Sequence, residues 1–134
     1  SDFFETIKQI LTQLHESVTH QDHPDLAAEM LNFVDISYKN PQFCRQLFSE
    51  HFHISEDYTS RFFKEHTGYR FNEYLTKVRM EAASKLLLTS QYTIKKIAAA
   101  VGYTSDMSFR RAFKAHFGMS PIEYRENRTP SDKI

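Results

Sequence analysis

At 134 residues the chain is one domain by length, or one compact domain with an appendage, and its 14% aromatic content supplies bulk for a modest core. One cysteine, Cys44, excludes an intramolecular disulfide framework and fits a reducing compartment; no apolar run approaches 18 residues and no basic-then-apolar leader opens the chain, so neither a membrane helix nor a secretion signal is expected. The net charge of zero excludes a uniformly basic surface, yet residues 1–40 carry a net −5 and residues 93–128 a net +4, so the local field differs sharply between the ends.

With three glycines and four prolines, the periodicity is helical almost throughout. Residues 2–19 carry Phe4, Ile7, Leu11, Leu14 and Val18 at spacings of 3 and 4. That seam suits either a connector or dimerising helix from an upstream domain or a helix packed on its own domain; two heptads are marginal alone. "HQDHPD" (20–25) breaks it, because Pro24 disfavours helix at His23. A second helix is expected over 25–38, ended by Asn40-Pro41, then short helices near 42–50 and 56–67, the latter stopped at Gly68. A long helix is expected over 71–88. Thr93 reads as the N-cap of a helix over 94–101 ended by Gly102, and Ser105 caps another that stops at Gly118. Ser120-Pro121-Ile122-Glu123 is a capping box with proline at the first helical position.

An internal echo organises these helices. Ser55, Arg61, Phe63, Lys64, His66, Gly68, Glu73 and Tyr74 recur at an offset of 50 as Ser105, Arg111, Phe113, Lys114, His116, Gly118, Glu123 and Tyr124. In each copy a short apolar helix, a tight turn and a second helix are followed by glycine and a new helix start, the grammar of helix-turn-helix. At about 100° per residue, Phe109, Ala112, Phe113 and His116 share one face, and Met107, Arg110, Arg111 and Lys114 lie roughly opposite. In the earlier copy Thr59, Phe62, Phe63 and His66 take the first face, and Asp57, Ser60, Arg61 and Lys64 take the second. A single amphipathic helix with a charged face is commonplace. Duplication with arginine and lysine at matching positions is not.

These residues resemble the DNA-binding domain of the AraC/XylS transcription regulators. The resemblance runs from about Ala28 to Arg128 and is strongest over 93–125, in "IAAAVGY", "FRRAFKAHFG" and "SPIEYR". It implies an all-α fold: two helix-turn-helix subdomains joined by a long linker helix, with an extra N-terminal helix here. The expected divisions are a connector helix and turn (1–24), a first unit (25–70), the linker helix (71–90), a second unit (91–128) and a tail (129–134). The implied function is sequence-specific binding of double-stranded DNA by a bacterial, cytoplasmic regulator. Recognition helices 56–67 and 105–117 would enter successive major-groove segments. A linker over 71–88 would be about 27 Å long at 1.5 Å per residue, and with its flanking helices could bridge grooves about 34 Å apart. Tandem copies in one chain imply an asymmetric site.

By position, the resemblance makes Asp57, Ser60 and Arg61 base readers in the first unit, and Asp106, Met107, Arg110 and Arg111 those of the second. Lys64, Lys95, Lys96, Lys114 and Arg125 are expected on phosphates, with the helix starts at Thr93 and Ser105 offering free amides. Departures cluster in the first unit. Phe48-Ser49 stands where alanine is usual, Phe52-His53 in the usual glycine region, and Phe71 where the second copy has Pro121. Asp57 would repel phosphate yet could accept from a cytosine amino group. Whether this unit reads bases or positions the protein stays open. An upstream sensor or dimerisation domain and RNA polymerase are candidate partners; a helical interaction module that has lost DNA binding is the alternative. No cofactor or metal is expected, since the pairs His20/His23 and His51/His53 lack Cys or carboxylate partners at ligand spacing. No catalytic motif appears, Cys44 reads as core, and the repeated histidines, His66 and His116, suit packing or a charge interaction at a helix C-terminus.

Overall fold

The structure is a computed structural model that describes residues 24–132; the expected connector seam over 2–19, with His20 and His23, lies outside the described residues. Among the described residues there are seven helices and no strands: α1 (Pro24–Ser37), α2 (Arg45–Phe52), α3 (Glu56–Thr67), α4 (Phe71–Thr89), α5 (Ile94–Ala100), α6 (Asp106–Phe117) and α7 (Pro121–Asp132). The described chain divides into two compact units. The first holds the residues up to Asp35 with Phe43–Tyr74; the second holds Ile36–Gln42 and the residues from Leu75 onward. The boundary falls inside α4. The last helix continues to Asp132, into the stretch read as a tail from 129.

Most helix ends obey local chemistry. Ser55 and Ser105 each accept a bond from the amide three residues on, at 3.0 Å and 3.3 Å, so α3 and α6 start where the capping residues place them. Gly68 (φ 80°) and Gly118 (φ 81°) end them in the left-handed conformation, donating back to the Lys64 and Lys114 carbonyls. One start lies later than the spacing predicts. The helix expected over 42–50 begins only at Arg45, because Asn40 Oδ1 accepts from the Gln42 amide at 2.9 Å and holds a turn ahead of it.

The first unit is packed by rings. Phe48 and Phe63 are fully buried with centroids 5.1 Å apart, and both meet Phe71, at 5.5 Å and 5.0 Å. Edge and tilted pairs of this kind add roughly 0.5–1.5 kcal/mol each beyond their buried area. In the same unit Ser49 and Thr59 are the buried polar pair, with hydroxyl oxygens 2.8 Å apart. Each also reaches a carbonyl one turn back, Arg45 O at 2.8 Å and Ser55 O at 3.0 Å. Two protons serve three contacts, and no buried side-chain polar atom among the described residues is left unpaired.

The second unit is mainly aliphatic outside its recognition helix. Met80, Ala83 and Leu87 of α4 and Ile97, Ala98 and Val101 of the α5 segment enclose Phe109 and Phe113 of α6. Arg79 ties the 36–42 segment to this body, donating to Tyr38 O at 3.0 Å and Asn40 O at 3.1 Å while its guanidinium lies 5.6 Å from the Tyr103 ring centre. Burial lowers the Arg79 pKa, with Tyr103 opposing; burial likewise raises the Tyr103 phenol. Gly102 (φ 101°) passes against the same group. A β-carbon there would meet Tyr38 O and stand 2.8 Å from Arg79 Nε.

Candidate nucleic-acid interface

In each unit the helix-turn-helix is closed by a matching pair of backbone bonds. His53 N donates to Glu50 O at 3.3 Å and Ile54 N to Ser49 O at 3.0 Å; Gly102 N donates to Ala99 O at 3.3 Å and Tyr103 N to Ala98 O at 2.9 Å. These pairs are offset by 49, whereas the recognition helices are offset by 50. The first unit therefore turns from α2 into α3 with one residue fewer. His53 takes the place of Gly102, with φ 57°. The shifted register also aligns Ser49 with Ala98 and Arg45 with Ile94, pairings hidden when one offset is applied throughout.

Both recognition helices bury their aromatic face, Tyr58, Thr59, Phe62 and Phe63 in α3 and Phe109 and Phe113 in α6. The expected reading positions point away from it. Asp57, Arg61 and Lys64 are exposed and Ser60 is half-buried; Met107 is 66% exposed, Arg111 and Lys114 are exposed, and Asp106 and Arg110 are half-buried. Thus each unit brings its expected readers onto one outward surface, built by the helical period.

The cations on these surfaces are used differently. In the first unit Lys64 Nζ donates to Gly68 O at 3.3 Å and the Arg61 guanidinium lies 5.7 Å from the Tyr58 ring centre. Arg45, which sequence reasoning missed, reaches α3 from the start of α2, pairing with Glu56 at 3.1 Å and donating to Ser60 Oγ at 2.8 Å. Arg45, Ser60, Arg61, Lys64 and Arg70 line an open cleft of about 690 Å³. In the second unit Arg110 approaches Asp106 at 3.9 Å, one turn away on α6. No hydrogen bond or ion pair engages Arg111 or Lys95 among the described residues. Lys96 Nζ lies 4.2 Å over the Tyr92 ring, and its amide donates to the Thr93 cap at 3.1 Å. Thr93 and Ser105 are exposed at the starts of α5 and α6.

Two side chains depart from expectation. Arg125 is half-buried and donates to Leu87 O at 2.9 Å and Ser90 O at 3.2 Å, so its fork caps the C-terminus of α4 instead of reaching outward for phosphate. Cys44, read as core, is exposed; it occupies the N-cap of α2 without a side-chain cap bond. The repeated histidines sit at helix C-termini, His66 with Nδ1 3.0 Å from Phe62 O and its ring stacked on Phe62, His116 edge-on to Phe117. Among the described residues no group of three or more His, Cys, Asp or Glu is arranged to hold a metal, and no helix is long and apolar enough to cross a membrane.

A model of a helix-turn-helix domain family matches residues 48–127. The chain is 37% identical over 78 residues to the probable transcription factor PqrA of Proteus vulgaris, covering 58% of this chain and 64% of that one. Its structure is similar to the C-terminal domain of the two-component response regulator yesN of Fusobacterium nucleatum, with a TM-score of 0.73, 34% identity, and coverage of 75% of this chain and 98% of that domain. It is also similar to the DNA-binding domain of AdpA, a global transcriptional factor whose structure is in complex with a target DNA, with a TM-score of 0.72, 27% identity, and coverage of 78% and 96%. The chain spans about a quarter of the length of other curated regulators that it matches (22%, 26% and 27%).

Proposed function

The chain belongs to the AraC/XylS-type helix-turn-helix family of transcription regulators, and from that premise we propose that it is the part of a bacterial regulator that binds double-stranded DNA. The observation that carries this reading is the matched pair of recognition helices, α3 and α6, each capped alike, each burying aromatic rings, each turning Arg61 or Arg111 outward. The helices enter successive major-groove segments about one turn apart, so one chain reads an asymmetric site. Arginine bonds two acceptors on a guanine edge at once, and lysine neutralises backbone phosphate. Asp57, Ser60 and Arg61, with Asp106, Met107, Arg110 and Arg111, meet base edges. Lys64, Lys95, Lys96 and Lys114 hold phosphates, aided by the helix starts at Thr93 and Ser105.

The protein works in the cytoplasm, as a binder and not a catalyst. The short share of its longer relatives that the chain spans supports a further sensor or dimerisation domain in the intact protein, with RNA polymerase the candidate partner downstream. The test is selection of a preferred duplex from a random library, followed by fluorescence anisotropy against scrambled DNA from roughly 50 to 200 mM salt. Tight, salt-sensitive binding to two half-sites about one turn apart is expected. Preference for a single half-site would reduce the first unit to a clamp, and no binding to any duplex would favour a helical interaction module instead.

A further inference from the structure

Arg45 stands where the second unit has Ile94. Both open the first helix of their helix-turn-helix, but Ile94 is 8% exposed and belongs to the core, whereas the Arg45 side chain is 45% exposed. An arginine in a packing position gives up burial, and here it crosses to the recognition helix. Nε and Nη2 each lie 3.1 Å from Glu56 Oε1, and Nη1 donates to Ser60 Oγ at 2.8 Å. Resting on the DNA-binding reading above, we propose that Arg45 is a positioning residue that sets the base preference of α3 by biasing Ser60 toward acting as a donor.

The argument is one of proton inventory. A serine hydroxyl has one proton and two lone pairs, so alone it suits a donor or an acceptor on a base edge equally. A guanidinium can only donate. With one Ser60 lone pair occupied by Arg45, the hydroxyl proton turns away from the guanidinium, and no hydrogen bond among the described residues uses it. Ser60 lines the open cleft on the outward side of α3, where that proton has room to meet a ligand. A charged donor on the oxygen also polarises the O–H bond, which strengthens it as a donor. Glu56 holds the guanidinium in place from the first turn of the same helix. The edges that suit such a hydroxyl best carry acceptors, namely guanine N7 and O6, adenine N7 or thymine O4; a cytosine amino group is left only the second lone pair, on an oxygen already drawn on by the guanidinium. In the second unit Arg110 stands at the place of Ser60 and needs no such help, since it is a donor by nature.

The test uses the whole 134-residue chain and the duplex that it selects, with every base pair of the first unit's half-site substituted in turn. Dissociation constants are compared for the natural protein, Arg45→Met, Arg45→Ile, Ser60→Ala and Arg45→Met/Ser60→Ala, with thermal melting to check the fold; isoleucine is the residue that the second unit accepts at this place. The natural protein should favour an acceptor-bearing edge at one base pair by about ten-fold, a typical mismatch penalty. Each single variant should cut that preference to about two-fold at the same base pair, and the double variant should do no worse. Preferences in the other half-site should not move. Uniform loss on all duplexes with the preference intact would overturn the proposal and leave Arg45 a structural tie or a phosphate contact. So would Ser60→Ala and the Arg45 variants acting at different base pairs. A natural protein that prefers no duplex at all is a separate result, and it would sink the DNA-binding reading itself.

Discussion

The first unit turns into its recognition helix through His53 at φ 57° and the second through Gly102 at φ 101°, and the first does so in one residue fewer. Around those turns the fillings differ as much as the backbones agree. Phe48, Phe63 and Phe71 interlock and Ser49 pairs with Thr59 in one unit, where Ile97, Val101 and Ala98 close on Phe109 and Phe113 in the other. What is common is the capped helix that carries the reading face, from Ser55 to Gly68 and from Ser105 to Gly118. Local caps and the helical period place the face; the core behind it is free to vary, provided that it fills space and leaves no polar group unpaired. The second unit spends its charge outward, through Arg111 and Lys95. The first ties Arg45 and Lys64 into its own structure.

The sharpest way to break this comparison is at the turns. Gly102→Ala should cost about 3 kcal/mol in urea unfolding, because alanine would have to hold a left-handed φ and its β-carbon would strike Tyr38 O and Arg79. His53→Gly should instead stabilise the protein by about 0.5 kcal/mol, since relief of a side chain at φ 57° slightly exceeds the entropy that glycine loses. A Gly102→Ala loss below about 1 kcal/mol would mean that the second turn is as tolerant as the first.

The reading faces come next. Arg111→Ala should cost about 1–3 kcal/mol on a selected duplex and relax preference at one base pair. Arg61→Ala should cost less, because its guanidinium already leans on the Tyr58 ring. Lys114→Ala should weaken all sequences alike and lower the salt slope by about 1. Equal losses on cognate and random DNA for Arg111→Ala would remove it from the readers.

Much of this was legible because it is local. Ser55, Gly68, Ser105 and Gly118 declare the ends of α3 and α6 within four residues of the bonds they make, and the period of 3.6 sorts their faces. What escaped depends on residues far apart in the chain. Nothing in the local sequence singles out Arg45, whose partners Glu56 and Ser60 lie on α3, 11 and 15 residues on. The resemblance implies a phosphate contact for Arg125, but carbonyls 35 and 38 residues earlier claim it. The apolar helical context of Cys44 points to the core, although its place at an N-cap turns it outward. The one-residue difference between turns was invisible to a single offset, because the most conspicuous matches lie in the recognition helices.

Arg125→Ala separates the capping reading from the phosphate one. Loss of a half-buried guanidinium bound to Leu87 O and Ser90 O should cost about 1.5 kcal/mol of stability, while the salt slope of DNA binding stays where it was. A slope that falls by about 1 with stability unchanged would restore Arg125 to the phosphate contacts.

The smallest expected effects lie at the helix starts that follow each recognition helix. In the second unit the box is complete: Glu123 Oε1 accepts from Ser120 N at 2.9 Å and Ser120 Oγ accepts from Glu123 N at 3.1 Å. In the first only half exists, Glu73 Oε1 accepting from Arg70 N at 2.9 Å, because arginine has no acceptor to return. Ser120→Ala should therefore cost about 1 kcal/mol, and Arg70→Ser should gain a few tenths. The Ser120 amide, and then its hydroxyl, hold the Glu123 carboxyl below its ordinary pKa, with Lys114 adding to them. A carboxylate whose pKa is lower folded than unfolded stabilises above the unfolded value, and that contribution is lost as pH falls through the folded one. Thermal melts should accordingly show an acid loss at and below the ordinary glutamate range that Glu123→Gln diminishes. An acid limb unchanged in Glu123→Gln would place the loss elsewhere, and equal responses of Ser120→Ala and Arg70→Ala would show that the two starts are capped alike after all.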